Sequence, residues 1–341
     1  MATDGTFNYR RPMRDVARML AELPGEQKLS LKDLQSGSPE QRMKIMGALQ
    51  KSGGFFSVEQ KTVLSLRDHP LSLQEGGAAL VSAPSAVDFQ SAEFRSAPEE
   101  GARRAFGTDE AVDSHELYYA EVEQIARDVL APEGEVVHAF CNSHIIRDSA
   151  GTGAVGDDAG PIRTVHNDFT EEYGEVTRSR LTDHPSKTAK FYRKMLEERR
   201  GLSFSREELE QYRLVVLNTW RPITEAPLRR DPLAVCDNRT IQKSDLLPVR
   251  TGIGQNPDDP DDDFSLEVFM STPNPEHRWH YVDAFDNQEL LVFKTYDSDM
   301  DPFVPTMHSA FELPEQDAEQ VRESCEARVV CLLKRTPSSK L

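Results

Sequence analysis

The residues best suited to chemistry are His166 and Asp168, in the string VHNDF at 165–169. Alternate residues of a β-strand point to the same face, so an imidazole and a carboxylate would lie side by side here. Both groups are common metal ligands. In a chain with nine histidines such a pair also arises by chance, and a buried histidine hydrogen-bonded to an aspartate is the structural alternative.

A metal site needs a third ligand, and His308 is suitably placed because it lies between two predicted strands, 289–298 and 322–334. Two histidines and one carboxylate hold Fe(II) on one face and leave three positions open for a co-substrate and dioxygen. The sequence therefore predicts a non-haem iron centre at His166, Asp168 and His308.

A cation beyond His308 would be needed if the centre used 2-oxoglutarate, because the far carboxylate of that co-substrate must be held, and a guanidinium fork suits it. Arg322 opens the strand nearest His308, and Ser324 shares its face. Arg328 shares that face but lies about 20 Å further along an extended strand, so the two arginines cannot both bind the same carboxylate. We prefer Arg322. The structural alternative is that both arginines pair with acids such as Glu326.

Strands must position these residues, and seven segments rich in Val, Ile, Leu, Phe and Tyr predict them. They are 135–147, 161–169, 213–223, 232–237, 278–285, 289–298 and 322–334. Helical patterns cover 114–130 and 186–212, whereas the first hundred residues predict only short strands and turns. This order of elements indicates a mainly β fold with flanking α, an antiparallel β-barrel or jelly roll with outer helices.

Composition limits the function classes. The 341 residues carry a net charge of −18, and such an acidic surface disfavours binding to nucleic acid or to a membrane surface. No stretch approaches 18 apolar residues, and the N-terminus lacks the apolar core of an export signal. Four cysteines without zinc-finger or CxxC spacing predict reduced thiols. We expect a cytoplasmic protein with a small-molecule substrate; no feature predicts its oligomeric state.

Three further motifs are rejected on context. The string at 151–156 fits the dinucleotide fingerprint GxGxxG, but a strand follows it instead of a helix, so it is interpreted as a loop. The acidic run at 258–263 puts an aspartate where a calcium-binding EF-hand requires glycine. His277 and His280 would point to opposite strand faces and have no third ligand.

Seven strings, in order between residues 140 and 335, resemble a family of fungal and bacterial Fe(II)/2-oxoglutarate-dependent oxygenases. That family includes gibberellin desaturase, the aspergillic acid hydroxylase and the cephamycin methoxylation protein. The strings are NSHIIR at 142–147, HNDF at 166–169, LNTWRP at 217–222, PLAVCD at 232–237, KTYDS at 294–298, HSAF at 308–311 and RESCEAR at 322–328.

The resemblance implies a double-stranded β-helix core of the jelly-roll or cupin-like type. It also implies iron held by His166, Asp168 and His308, with the co-substrate arginine at Arg322 or Arg328. We expect a single oxygenase domain over 1–341, in which 1–112 is an N-terminal extension with short strands and 113–341 is a helix plus the jelly-roll core.

The implied activity is C–H oxidation of a small molecule of specialised metabolism, by hydroxylation, desaturation or ring closure, with Fe(II), 2-oxoglutarate and dioxygen. Candidates for substrate contact flank the motifs: Arg221, Tyr296, Asn142 and His144. For Arg221, anchoring the loop after Trp220 is the structural alternative. Two other functions stay open: an iron oxidase that uses no 2-oxoglutarate, and a non-catalytic cupin-like binding protein.

Overall fold

The computed structural model describes residues 2–12, 14–16, 18, 56–95, 113–149, 160–250 and 267–335. Its strands are β1 Ala2–Arg10, β2 Phe56–Ser65, β3 Ala78–Ser82, β4 Val136–Asp148, β5 His166–Asn167, β6 Tyr212–Pro222, β7 Leu233–Cys236, β8 Leu246–Arg250, β9 Glu267–Ser271, β10 Trp279–Tyr281, β11 Glu289–Asp297, β12 His308–Ala310 and β13 Glu323–Lys334. Its α-helices are α1 Ala92–Arg95, α2 Asp113–Leu130, α3 Tyr173–Thr182, α4 Lys187–Arg200 and α5 Arg206–Glu210. The rejected motifs at 151–156 and 258–263 lie outside the described residues.

The strands form two sheets that enclose a common core. Eight strands are ordered β1-β2-β10-β7-β12-β5-β9-β8, and five are ordered β3-β11-β6-β13-β4. One buried cluster draws on both sheets, with Phe7 and Trp279 from the first and Val216 and Leu332 from the second. Two sheets packed face to face over such a core form a jelly roll. The predicted mainly β fold with a jelly-roll core is therefore confirmed.

Five of the seven predicted strands match β4, β6, β7, β11 and β13 within two residues. The segment 161–169 is different, because only His166–Asn167 is regular strand. The buried Asn167 amide donates to the carbonyls of Phe169 at 2.6 Å and Thr295 at 3.0 Å. These carbonyls therefore bond to a side chain instead of to a neighbouring strand, and the regular strand ends here. The segment 278–285 also shortens, to Trp279–Tyr281.

The helix predicted at 114–130 is α2, which lays Tyr118 and Val122 on the outer face of the five-stranded sheet. The expected helical segment 186–212 is instead two helices, because Gly201 at φ 63° ends α4. A glycine adopts this left-handed conformation without the steric cost of a side chain. Helix α3 was not predicted.

The N-terminal strands are longer than expected and extend the core. β1 and β2 run for 9 and 10 residues and pair antiparallel. β2 also pairs with β10, in parallel, and this pairing joins β1 and β2 to the eight-stranded sheet. All four cysteines are buried and unbridged. Within the described ranges, no helix is both long and apolar enough to cross a membrane.

Candidate active site

Short strands in the middle of the eight-stranded sheet bring the three predicted ligands together. His308 opens β12 directly opposite His166 on β5, and their ring centroids are 4.4 Å apart. Asp168 follows β5 at once, where the chain bends. One donor atom from each of the three side chains lies within 4.8 Å of the others. In the described part of the chain, no other cluster of histidine, cysteine or acid side chains meets this distance.

Backbone contacts set the orientation of both imidazoles. His166 Nδ1 donates to the carbonyl of Thr164 at 2.7 Å, and His308 Nδ1 donates to that of Thr306 at 3.4 Å. Both Nε2 atoms are thereby directed towards Asp168 Oδ1, at 3.6 Å for His166 and 4.0 Å for His308. These distances are too long for a hydrogen bond, so neither Nε2 donates a proton to the carboxylate.

The protonation states also suit a metal. Burial, and then the neighbouring His166, lower the pKa of His308 to about 3, so this imidazole is neutral. Burial alone would raise the pKa of Asp168, but the Arg328 guanidinium and the hydrogen bond from Asn218 hold it well below its ordinary value. A neutral imidazole and an ionised carboxylate are the forms that coordinate metal.

The second oxygen of Asp168 is held by protein donors. Asn218 Nδ2 donates to Oδ2 at 2.8 Å, and the Arg328 guanidinium does so at 2.9 and 3.0 Å. Oδ1 is left facing the two imidazoles. With two imidazole nitrogens, an ionised carboxylate oxygen and fixed ring orientations, the side chains present fit an Fe(II) ion.

A narrow cavity of about 20 Å³ opens beside the three side chains. It is lined by Arg147, Ile162, His166, Asp168, Trp220, Leu233, His308, Ala310, Arg322, Glu326 and Arg328. Both sheets contribute, with β5, β7 and β12 on one side and β4, β6 and β13 on the other.

Arg322 is the unusual cation of this cavity. It is 2% exposed and lies 5.3 Å above the Trp220 ring, yet its Nε and Nη1 have no hydrogen-bond partner among the described residues. Within that same part of the chain, the buried hydroxyl of Ser324 on the same strand face has no partner either. Burial, followed by the nearby Arg147, lowers the pKa of Arg322 to about 10, so it remains a cation at neutral pH. Because buried donors are normally paired, this group is arranged for an anion.

Arg328 has different surroundings. Its guanidinium pairs with Asp168 and, at 3.0 Å, with Glu326 Oε1. The expected pairing with Glu326 therefore holds for Arg328, whereas no ion pair of Arg322 occurs among the described residues. Both arginines line one cavity, but at Arg328 the charge is already compensated.

Of the proposed substrate-contact residues, Arg221, His144 and Tyr296 do not line the cavity. Arg221 lies on the opposite face of β6 from Trp220, packs over Phe89 and Tyr118, and donates to two loop carbonyls, of Ala83 at 3.0 Å and of Asn287 at 3.3 Å. Arg221 therefore anchors the loops after β3 and before β11, and not the loop after Trp220 that was named as its structural alternative.

His144 and Tyr296 also lie away from the cavity. His144 stacks on Phe94 at 4.7 Å and bonds Tyr119 at 3.1 Å, on the outer side of the five-stranded sheet. Tyr296 is buried against Tyr173 and α3, with no place in the cavity lining. The backbone of Asn142 lies in β4, but its side chain is outside the described residues.

Sequence reasoning missed Asn218, which touches both Asp168 and Glu326. The available signal was a single amide within the apolar run LVVLNTW, which becomes informative once β6 and β13 are paired and Asn218 stands opposite Arg328.

A jelly roll that carries two histidines and one carboxylate beside a buried arginine is the arrangement found in non-haem iron oxygenases. The fold agrees. The iron and alpha-ketoglutarate-dependent endoperoxidase NvfI superposes with a TM-score of 0.61 over 98% of this chain and 99% of that chain, at 19% identity.

Residues 80–332 match the family described as Oxidoreductase/YMDC permease-like domain, and the chain belongs to that family. Among its relatives is the hydroxylase/desaturase efuI of Hormonema carpetanum, 30% identical over 198 residues that cover 56% of this chain and 58% of the relative. The Fe(II)/2-oxoglutarate-dependent dioxygenase nvfI of Aspergillus novofumigatus is 30% identical over 219 residues, 63% and 66% of the two chains. The Gibberellin cluster GA4 desaturase of Gibberella fujikuroi is 26% identical over 181 residues, 51% of each.

The matched part thus spans between half and two thirds of the length of these relatives. Their names confirm the resemblance to the hydroxylase and desaturase family that the seven strings indicated.

Proposed function

We propose that this protein is an Fe(II)/2-oxoglutarate-dependent oxygenase that oxidises a C–H bond of a small molecule of specialised metabolism. The observation that carries the proposal is the convergence of two unlike sites in one cavity. The donors of His166, Asp168 and His308 lie within 4.8 Å of one another, and the buried Arg322 beside them has two unpartnered N–H groups.

Each side chain then has a task. His166, Asp168 and His308 would hold Fe(II), and Arg322 with Ser324 would bind the far carboxylate of 2-oxoglutarate through charge-assisted hydrogen bonds. Iron, 2-oxoglutarate and dioxygen, when bound, supply the oxidant for an unactivated C–H bond. Trp220, as the wall under Arg322, excludes water from the bound carboxylate and strengthens its attraction to the cation.

The names of the relatives support a small-molecule substrate and a place in specialised metabolism. Hydroxylation, desaturation and ring closure all begin with C–H oxidation, and they form the class of reaction proposed here. We place the protein in the cytoplasm, as one oxygenase domain over 1–341 in which β1 and β2 complete the eight-stranded sheet.

The proposal is tested by adding Fe(II) and 2-oxoglutarate to the metal-free protein under anaerobic conditions. We expect the weak visible charge-transfer band that a 2-oxo acid gives when it chelates Fe(II), and we expect the band to be absent from His166→Ala. The matched control is His280→Ala, since His280 is buried to a similar degree in the same sheet but does not line the cavity.

Two results would overturn the proposal. Iron binding without the band would favour an iron oxidase that does not use 2-oxoglutarate. No iron binding at all would favour a non-catalytic cupin-like binding protein.

A further inference from the structure

Asn218 connects the two carboxylates beside the cavity. Its Nδ2 lies 2.8 Å from Asp168 Oδ2 and 3.1 Å from Glu326 Oε1, so one amide group donates to both. An amide NH₂ has two hydrogens, and this geometry uses each of them once. Neither carboxylate is thereby neutralised, because Asn218 adds no charge.

The orientation of the Asn218 amide is fixed from its other end. Thr295 Oγ1 lies 3.0 Å from Asn218 Oδ1 and 3.3 Å from the Val216 carbonyl, so the amide oxygen is the nearer acceptor of its single hydroxyl hydrogen. The amide oxygen is therefore directed towards β11 and the nitrogen towards the carboxylates. Asn218 itself is fully buried on β6, the central strand of the five-stranded sheet. A side chain on such a strand is held more precisely than one on a loop.

The other donor to Asp168 Oδ2 differs from Asn218 in charge and exposure. The Arg328 side chain is 32% exposed, and its guanidinium contacts Asp168 and Glu326 at the same time. Arg328 therefore supplies positive charge to both carboxylates. Asn218 is the fully buried, uncharged donor to Oδ2.

We propose that Asn218 is a positioning residue for the metal centre: it binds Asp168 Oδ2, so that Oδ1 is the oxygen presented to the ion beside His166 and His308. This inference rests on the proposed function, since it requires that the three side chains bind metal. The structure contributes the paired carboxylates, the single amide between them and the threonine that orients it.

The experiment is a titration of the metal-free protein with Co(II) alone, followed by its visible ligand-field absorption. Asn218→Leu keeps the size of the side chain and removes the donor. We expect its Co(II) dissociation constant to rise about 10- to 100-fold, the usual effect of losing a hydrogen bond to a metal ligand.

The matched control is Thr219→Val. Thr219 is the next residue of β6, is equally buried, and donates to the Ala327 carbonyl at 3.2 Å on the opposite face. It also loses one buried hydrogen bond, but its Co(II) affinity should stay at the wild-type value. If Asn218→Leu does not fold, Thr295→Val takes its place and should weaken Co(II) binding in the same direction by a smaller factor.

The outcomes distinguish the positioning role of Asn218 from the metal centre on which it depends. Equal Co(II) affinity in Asn218→Leu and wild type, with weaker binding in His166→Ala, would overturn the positioning role and leave the metal centre intact. Equal Co(II) affinity in wild type and His166→Ala would overturn the metal centre. An equal loss in Asn218→Leu and Thr219→Val would assign the effect to general destabilisation and also overturn the positioning role.

Discussion

Two histidine–aspartate clusters lie in or directly beside the strands of the eight-stranded sheet, and they differ in which of their polar atoms are hydrogen-bonded. At the cavity, the Nε2 atoms of His166 and His308 lie 3.6 and 4.0 Å from Asp168 Oδ1, beyond hydrogen-bonding distance. In the second cluster, His277 uses both ring nitrogens: Nδ1 lies 3.2 Å from the Tyr9 hydroxyl and Nε2 lies 3.1 Å from Asp245 Oδ2.

In the second cluster, the polar side chains of Tyr9, Asp245 and His277 are hydrogen-bonded within the protein, and we call it the closed cluster; His166, Asp168 and His308 form the open cluster. The indole N–H of Trp279 donates to the Tyr9 hydroxyl at 2.7 Å, and Asp245 Oδ2 also accepts from the backbone of Gln242 and the amide of Asn274. The same residue types thus have different roles in the two clusters. A histidine–aspartate pair whose ring nitrogens are both hydrogen-bonded stabilises the sheet. A pair whose Nε2 atoms face a cavity without a hydrogen bond is arranged for an ion.

The sharpest contrast is expected from removing one imidazole of the open cluster. His308→Ala should weaken Fe(II) binding more than about 100-fold and abolish turnover, because two ligands remain where three are needed. Anaerobic Fe(II) titration and product analysis measure both effects. The matched variant His277→Ala should bind Fe(II) normally, and a comparable loss of iron binding there would remove the distinction between the two clusters.

A second contrast compares the two fully buried arginines at the ends of β6 and β13. Arg322→Met should raise the concentration of 2-oxoglutarate needed for half-saturation about 100-fold, since it removes a charge-assisted, two-pronged contact. Steady-state kinetics with 2-oxoglutarate varied measure the change.

Arg221→Met is the control for that experiment, because Arg221 stacks on Phe89 and Tyr118 outside the cavity. It should lower stability and leave the 2-oxoglutarate requirement unchanged. If Arg328→Met, and not Arg322→Met, raises that requirement, the co-substrate arginine is the one paired with Asp168.

A substitution in the closed cluster should instead lower the free energy of unfolding. His277→Ala leaves the buried Tyr9 hydroxyl and Asp245 each short of one partner, and we expect the free energy of unfolding to fall by about 2 kcal/mol. Urea unfolding of the metal-free protein measures this value. His308→Ala, measured in the same way, should cost less, because it loses only the long 3.4 Å hydrogen bond from Nδ1 to the Thr306 carbonyl and none from Nε2. A larger loss for His308→Ala would contradict the assignment of roles.

The three candidate metal ligands could be predicted from the sequence because their placement depends on local patterns. A spacing of two residues on a strand places His166 beside Asp168, and His308 was found from its position between two predicted strands. The strands themselves followed from continuous runs of β-branched and aromatic residues, which is why five of them were located within two residues.

Faces and registers were not accessible in the same way. β6 is buried on both faces from Leu214 to Pro222, so its sequence does not show which face looks inward, and Arg221 was expected at the cavity that Trp220 lines. The contact between Asn218 and Asp168 depends on how β6 meets the bend after β5. These are relations between distant segments that no local pattern encodes.

The smallest expected difference between the clusters concerns pH. Burial lowers the pKa of His277 below its ordinary value of 6.5, and Lys61 contributes in the same direction, although Asp245 opposes them. In the unfolded chain this histidine takes up a proton near pH 6.5, while in the folded protein it does not. The unfolded state therefore binds more protons as the pH falls below 6.5, and stability is lost in that direction.

His277→Gln removes this titrating group and retains an amide for hydrogen bonding. Between pH 7 and pH 5, wild type should lose more free energy of unfolding than His277→Gln, both metal-free, since the other groups titrate alike in the two proteins. Urea unfolding at pH 7, 6 and 5 measures the two slopes. Parallel slopes would mean that His277 keeps an ordinary pKa in the fold, and that the closed cluster is more open to solvent than its hydrogen bonds indicate.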